Sequence, residues 1–339
     1  MVLEVPGPVP GPSDVNQTEQ ENGSPTELTF GSPWPDGNGA AKVTRTVSAN
    51  VGLWRRVVAV WRSRELLANL VRTEIKVKYK NSVLGIMWSM VAPAMTLIIF
   101  TIVFSFLLKN GIPHFVIFLF SGLLLWNFFQ TAVQTGTGTI VNNSGLVKKV
   151  SFPREILALA SVGTASVFFF FQAIVMVIFL FLVPNAPDYS LIPLVFLALL
   201  AGAVWAAALA VFLSAVNVYL RDTQHLVEVL LTAWFWACPI VYAYQRTVAK
   251  SSKLHQWHLT WIYFLNPLTP LVMTFQRVLY NIPVGRLTVK PYQVARFLPP
   301  WSGSTYLVAD LAVLGIGLVL FVLALVVFGR LEGNFAEEL

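Results

Sequence analysis

The sequence predicts an all-α integral membrane protein with six transmembrane helices. It also predicts an amphipathic interface helix before the spans, and re-entrant or gate helices between spans five and six. The first observation is composition: the 339 residues are 56% hydrophobic and only 12% charged, whereas soluble domains carry roughly 25% charged residues. The second is the presence of six apolar stretches near the about 20 residues that a helix needs to cross a bilayer. A cytosolic enzyme and a disordered regulator are disfavoured, and the single cysteine, Cys238, excludes a disulfide scaffold.

Two dissimilar regions precede the spans. Residues 1–41 contain six acids, seven prolines, six glycines and no base, so we expect a disordered tail that cannot bury enough apolar surface to fold. Residues 42–83 form a cytoplasmic basic region, with ten bases against Glu65 and Glu74. Within it, Leu53–Val71 predicts an amphipathic helix. That helix lies either on the membrane surface or against the chain's own cytoplasmic side.

The transmembrane domain, residues 84–328, is interpreted as six spans. The third and fourth exceed the minimum length and can tilt, whereas the fifth is short and closes near Pro239. The spans are residues 84–108, 115–133, 156–183, 191–219, 226–242 and 306–328. Residues 243–305 form an external loop between the last two spans, and residues 329–339 form a C-terminal tail.

Charges in the connections predict the orientation. Bases concentrate in alternate connections, which by the positive-inside rule places both termini in the cytoplasm of a multi-pass protein of the cytoplasmic membrane. The external loop is the exception, with seven bases and no acid, but long loops translocate largely regardless of charge. Within it, Pro267 and Pro270 interrupt the apolar stretch Trp261–Asn281, which predicts a re-entrant or interfacial helix pair. A seventh crossing here, which would place the C-terminus outside, is the alternative.

Motifs for chemistry are sparse. No P-loop pattern occurs, so any coupling to ATP must come from another chain. His255 and His258 lack a third ligand nearby in the sequence, so we predict no metal site, and no catalytic residue or cofactor is assigned. Glu228 and Asp310 lie inside predicted spans, and Glu228 is either a proton-relay candidate or a partner of Arg221. The net charge of +7 predicts contact with anionic membrane lipids and no nucleic acid.

Aromatic residues concentrate around the outer end of the fifth span. Flat aromatic faces with polar edges suit sugar rings, while an ordinary interfacial girdle is the alternative. Two bases of the external loop could hold an anionic head group as it leaves, or could contact outer-leaflet phospholipid. The candidates for a glycan path or gate are Trp126, Trp234, Trp236, Tyr242, Trp257, Trp261, Arg246 and Arg277.

Six segments together resemble one known family. They are Glu74–Ala94, Gly122–Phe129, Leu146–Leu157, Asn217–Asp222, Pro239–Tyr242 and Asn266–Tyr280. In this order they are similar to the permease subunit of ABC exporters for polysaccharide, the O-antigen and teichoic-acid class often called Wzm. The match covers about residues 55–339.

The resemblance implies a homodimer bound to a pair of cytoplasmic ABC ATPase subunits, which use ATP and magnesium. The implied cargo is a polysaccharide attached to a polyprenyl pyrophosphate lipid. The family's ATPase-coupling helix falls on the segment containing Leu146, Val147, Lys148, Lys149, Phe152, Pro153 and Arg154; its bases could instead only enforce topology. We expect the lipid pyrophosphate near the cytoplasmic cations Arg72, Lys76, Lys78 and Lys80.

The chain departs from the family pattern in its long acidic tail, and Glu74 stands where Asp is commoner. The tail and overall character are similar to actinobacterial members, whose cargo is the lipid-linked galactan of the cell wall. Two other functions remain open. An integral-membrane glycosyl- or phosphosugar transferase acting on polyprenyl lipids would need a carboxylate cluster that we do not find in the sequence. An ion-coupled transporter would depend on Glu228.

Overall fold

The computed structural model of the chain describes residues 53–107, 112–150, 152–182, 187–244, 263–281, 297–299 and 301–339. Within these ranges every regular element is helical. A π-helical stretch, Ile102–Leu107, continues α3. The α-helices are α1 (Leu53–Arg62), α2 (Arg64–Lys78), α3 (Trp88–Thr101), α4 (Phe115–Asn142), α5 (Ser144–Lys149), α6 (Glu155–Leu182), α7 (Ile192–Tyr219), α8 (Thr223–Ala237), α9 (Leu268–Leu279), α10 (Gly303–Leu331) and α11 (Phe335–Glu338).

Five stretches in the described part of the chain are long and apolar enough to cross a membrane. They are Gly85–Phe104, Phe115–Asn142, Glu155–Leu182, Tyr189–Tyr219 and Gly303–Asn334. The predicted all-helical, multi-pass membrane fold is therefore confirmed. The fifth predicted span corresponds to α8, which has 15 residues and ends before Cys238, so it is shorter than the about 20 residues of a straight crossing. A count of six spans stays a prediction. The acidic tail and much of the external loop lie outside the described residues.

Helix α4 extends beyond the predicted span, which ended at residue 133. Its last residues, 134–142, are mostly small or polar, so hydropathy alone predicts a loop. The helix continues because it packs closely on α7: a Cβ added at Gly136 would lie 2.5 Å from the Cβ of Ala210. Small residues at such contacts let two helix backbones approach within a membrane.

The predicted amphipathic helix Leu53–Val71 is two helices, α1 and α2, which meet at Ser63. The Ser63 hydroxyl donates to the Ala59 carbonyl at 2.9 Å, a side-chain bond that competes with continued helix. Helix α2 packs on α6, with the Val71 side chain 2.8 Å from a Cβ added at Gly163. Of the two alternatives, the contact with the chain's own helices is the one observed for α2.

Helix α4 forms the centre of the bundle and contacts α3, α6, α7, α8 and α9. Helix α10 packs on the other side of α7, where the Trp205 indole donates to the Val313 carbonyl at 2.9 Å. We call the end that carries α2, α5, the α7–α8 turn and the C-terminus the basic end. The opposite end carries α9 and the turn at Asp188, and we call it the α9 end.

Candidate functional site

A groove with a mixed polar and apolar lining lies between α2, α3, α4 and α6. It has a volume of about 410 Å³, within the range of roughly 300–1,000 Å³ typical of ligand sites. Its walls combine one cation, several hydroxyl and amide groups, and aromatic rings. The lining residues are Lys78, Tyr79, Trp88, Ser89, Ala92, Pro93, Thr96, Phe120, Leu123, Asn127, Gln130, Thr131, Phe168 and Gln172.

A tight turn between α2 and α3 forms the mouth of this groove. Asn81 and Gly85 adopt left-handed backbone angles, with φ of 62° and 52°. Asparagine and glycine are the residues that visit this region most readily. The turn sends α3 back along α6, with which it is in contact, so that α3 closes one side of the groove.

Lys78 lies at the mouth, held against an aromatic ring. Its ammonium nitrogen is 4.2 Å from the centroid of Phe168, a cation–π geometry, and Tyr79 meets the same ring edge-on at 6.0 Å. Partial burial lowers the pKa of the Lys78 ammonium and raises the pKa of the Tyr79 hydroxyl from their usual ranges. Lys78 is still exposed to an incoming ligand, and its contact with Phe168 fixes the position of the ammonium group.

The remaining predicted lipid-pyrophosphate cations do not line the groove. All four cations are exposed, but Lys78 lines the groove and contacts Phe168, whereas Arg72, Lys76 and Lys80 do not line it. The structure therefore distinguishes Lys78, which lines the groove, from the other three cations. The number of charges in the sequence does not reveal this difference.

Glu74 anchors α2 to α6 one helical turn before Lys78. It accepts a hydrogen bond of 2.5 Å from the Thr164 hydroxyl. Burial raises the pKa of the Glu74 carboxyl, and the bond from Thr164 partly opposes this. This contact fixes the position of the groove mouth relative to the bundle.

Deeper in the groove, polar side chains of α4 and α6 pair with one another. The Asn127 amide donates to the Gln172 side-chain oxygen at 3.0 Å, and the Trp126 indole donates to the Gln130 oxygen at 2.8 Å. Sequence reasoning missed the three amides, although polar residues inside otherwise apolar spans are a recognised signal of function. Asn127 and Gln172 are 45 residues apart in sequence, so only the fold reveals the pair.

The predicted coupling segment forms α5 at the basic end. Val147 is buried, Leu146 is half-buried, and Lys148 and Lys149 are exposed. Val147 packs in an apolar cluster that also contains Phe335, and Phe152 packs against this cluster. The segment therefore has an apolar face fixed to the bundle and a basic face that is open.

Arg154, which follows Pro153 after α5, contacts the C-terminal segment. Its guanidinium donates to the Glu332 carbonyl at 2.6 Å and lies 5.8 Å from the ring centroid of Phe335. Tyr219, at the end of α7, donates to the Leu331 carbonyl at 2.7 Å. The C-terminal segment thus ties α5, α7 and α10 together.

The predicted aromatic candidates have different surroundings. Trp126 is 2% exposed and packs against Phe235 of α8, which is a core position. Trp234 donates to Asn266 at 2.8 Å, whereas Trp236 is 55% exposed. Tyr242 is half-buried, and its hydroxyl is hydrogen-bonded to that of Tyr263. Trp257, Trp261 and Arg246 lie outside the described residues.

The α9 end contains the part of the proline-broken segment that the structure describes. Helix α9 begins after Pro267, is almost entirely buried, and contacts α4 and α7. Arg277 near its end forms an ion pair of 3.3 Å with Asp188. Thr274 donates to the fully buried carboxylate of Asp310 at 3.0 Å, which connects α9 to α10.

Comparison with known proteins identifies related sequences. A family model described as ABC-2 type transporter matches residues 65–280. The chain is 31% identical over 229 residues to the O-antigen export system permease protein RfbA of Myxococcus xanthus, covering 67% of this chain and 85% of that protein. It is 26% identical over 275 residues to a Klebsiella pneumoniae protein of the same name, covering 81% of this chain and 95% of that protein.

The fold is that of a helical, multi-pass membrane protein. The chain belongs to the ABC-2 type transporter family, since the family model covers more than half of it. It is a transporter permease rather than an enzyme, and the resemblance predicted from its sequence motifs is confirmed.

Proposed function

We propose that this chain is the permease subunit of an ATP-driven exporter that moves a polysaccharide linked to a polyprenyl pyrophosphate lipid across the cytoplasmic membrane. The observation that supports it most directly is the groove, which combines the cation Lys78 at its mouth with neutral polar groups in an otherwise apolar bundle. An amphiphile with an anionic head and hydroxyl-rich sugars has the matching chemistry. The similarity to permeases named for O-antigen export supports a polysaccharide cargo.

Lys78 is proposed to bind the lipid pyrophosphate at the basic end, which faces the cytoplasm. The Phe168 ring holds its ammonium group in place, and an ammonium group forms charge-assisted hydrogen bonds with phosphate oxygens. The exposed cations Arg72, Lys76 and Lys80 draw the anionic head group toward the mouth through longer-range attraction.

ATP and magnesium are used by separate ATPase subunits, a pair of which binds the permease homodimer. Helix α5 presents exposed Lys148 and Lys149 on an apolar base that includes Val147. This arrangement suits transmission of a push from the ATPase to α4 and α6, the helices on either side of α5. A polar glycan also needs a protein-lined wet path through the bilayer, and the second permease copy supplies its other wall.

The residues proposed to guide the glycan out are the aromatic side chains Trp234, Trp236 and Tyr242, together with the external-loop residues Trp257, Trp261 and Arg246. Arg277 joins them in this proposal, with its guanidinium already held by Asp188 and Asn281. Among O-antigen-like polymers, we propose a cell-wall galactan, because the acidic tail is similar to that of actinobacterial exporters.

A pull-down with lipid analysis tests this function. The purified full-length permease should co-purify with a P-loop ATPase, and mass spectrometry of its bound lipids should reveal a glycan on a polyprenyl pyrophosphate. If the chain instead makes a glycosylated lipid from a sugar nucleotide with no ATPase present, the transferase alternative is correct and the proposal is wrong.

A further inference from the structure

The inner wall of the groove has a chemistry of its own, distinct from that of its mouth. It is formed by uncharged polar groups: Thr96 of α3, Asn127, Gln130 and Thr131 of α4, and Gln172 of α6. These residues belong to stretches that are otherwise apolar enough to span a membrane. Polar side chains in such stretches are costly unless they bond one another or line a cavity. Here they do both.

Their existing bonds use only part of their capacity. A side-chain amide has two N–H donors and an oxygen with two lone pairs. The Asn127–Gln172 bond engages one donor of Asn127 and the oxygen of Gln172, and the Trp126 bond engages the oxygen of Gln130. The Asn127 oxygen and the amide nitrogens of Gln130 and Gln172 take no part in these two bonds. The wall therefore offers donors and acceptors together, as hydroxyl groups require.

Aromatic rings flank these amides. Trp88, which is 48% exposed, and Phe168 line the same cavity. Because the Phe168 ring already contacts Lys78 and Tyr79, the exposed Trp88 ring is the one we expect to pack on the C–H face of a sugar while its hydroxyls reach the amides. Gln172 lies four residues beyond Phe168 on α6, about 6 Å deeper along the helix axis. A ligand held by Lys78 at Phe168 would thus place its next group beside Gln172.

The charge of the lining residues also changes from the mouth of the groove to its inner wall. Lys78 and Tyr79 at the mouth are the ionisable groups among the lining residues, and the inner wall is neutral. A second anionic group would find no counter-ion there and would lose its hydration. The wall therefore suits an uncharged, hydroxyl-rich group attached to an anionic one.

We propose that Asn127, Gln130, Thr131 and Gln172 form a binding subsite for the uncharged sugar residue attached directly to the lipid pyrophosphate. The subsite rests on the proposed function and deepens it. It makes the permease selective for the first sugar of the chain, so that a glycan-bearing lipid is chosen over the bare carrier lipid.

Two probes test the subsite: polyprenyl pyrophosphate without sugar, and the same lipid carrying one neutral hexose. Their affinities are measured on the full-length permease in nanodiscs. We expect the wild type to bind the hexose-bearing lipid about tenfold more tightly, the gain expected from one or two net hydrogen bonds. Equal affinities in the wild type would overturn the subsite.

The double variant Asn127→Leu/Gln172→Leu removes both members of the amide pair, so that neither is left unpaired in the bundle. It should lose the preference for the hexose-bearing lipid while binding the bare lipid as the wild type does. Thr131→Val is a milder second variant and should lose part of the preference. Ser166→Ala, on an exposed face of α6 where its hydroxyl bonds its own helix, is the matched control and should keep it.

The outcomes separate the two proposals. If the wild type binds neither probe, the proposed function fails. If it binds both probes but the amide variants retain the sugar preference, the function stands and the subsite is wrong.

Discussion

At the residue scale, Lys78 is distinguished from its neighbours by its surroundings rather than by its charge. Both Lys76 and Lys78 are exposed on the same helix, but Lys76 does not line the groove, whereas Lys78 lines it and contacts Phe168. This pair of lysines is a natural comparison, because substitution of either one removes the same charge from the same helix.

We expect Lys78→Ala to weaken binding of polyprenyl pyrophosphate by about 10- to 100-fold, the usual value of a hydrogen bond to a charged group. Lys76→Ala should change the affinity by about twofold or less, because Lys76 lies outside the groove and acts only through screened, longer-range attraction. Titration of the lipid into permease nanodiscs measures both. Equal losses of affinity in the two variants would show that the basic region attracts the lipid only through its total charge.

Glu74 predicts a specific dependence of stability on pH. In the folded protein, the pKa of the Glu74 carboxyl is raised above its ordinary value of 4.5. Between pH 4.5 and this raised pKa, the folded protein therefore binds more protons than the unfolded chain. The free energy of unfolding should therefore fall as the pH rises through this window. Glu74→Gln cannot ionise and keeps an oxygen for Thr164.

We expect Glu74→Gln to unfold about 2 °C higher than the wild type near pH 8, with the difference closing near pH 4, where Glu74 is protonated in the wild type too. Melting curves of the purified protein at both pH values measure this. Glu65→Gln, an exposed position on the same helix, is the control and should follow the wild type. A Glu74→Gln variant less stable than wild type near pH 8 would contradict the assignment.

At the element scale, long apolar runs predicted α6, α7 and α10 to within a few residues of their observed ends. Hydropathy could not predict the last turns of α4, because a helix made of small and polar residues is stabilised there by close packing on α7. It placed a span at residues 226–242 that overlaps α8 but missed its bounds, since α8 has only 15 residues and ends at Ala237.

The close contact between α4 and α7 gives a prediction of its own. A Cβ at Gly136 would lie 2.5 Å from the Ala210 Cβ and 3.2 Å from its Cα, so Gly136→Ala forces the two helices apart. We expect a loss of about 1–3 kcal/mol, measurable as a drop in melting temperature of about 2–4 °C for each kcal/mol.

Gly315→Ala on α10 is the matched control, since an added Cβ there has nothing within 4 Å. It should leave the melting temperature unchanged or slightly raised, because alanine is the better helix former. A Gly136→Ala variant as stable as Gly315→Ala would show that α4 and α7 do not depend on this close approach.

The candidate site was predictable only in part. The basic region before the first span is visible in the sequence, and so are the motifs of the coupling segment. The groove is not, because its lining residues come from four helices that are separate in sequence, α2, α3, α4 and α6. Lys78 and Gln172 line one groove because α2 packs on α6, and the turn at Asn81 and Gly85 then brings α3 along α6 to form another wall.

At the scale of the whole molecule, the basic end joins the parts expected to move together. Val147 of α5, Phe328 of α10 and Phe335 of the C-terminal segment share one apolar cluster. Arg154 and Tyr219 add hydrogen bonds to the same segment. A displacement of α5 by an ATPase would therefore reach α4, α6, α7 and α10 through rigid contacts.

The most direct test is transport in proteoliposomes that contain the full-length permease with or without its ATPase. Appearance of the glycan-bearing polyprenyl lipid in the opposite leaflet is followed over time. We predict transport only when permease, ATPase and ATP are all present, and transport slowed about tenfold or more by Lys78→Ala. Equal export by the permease alone, without ATP, would contradict the account.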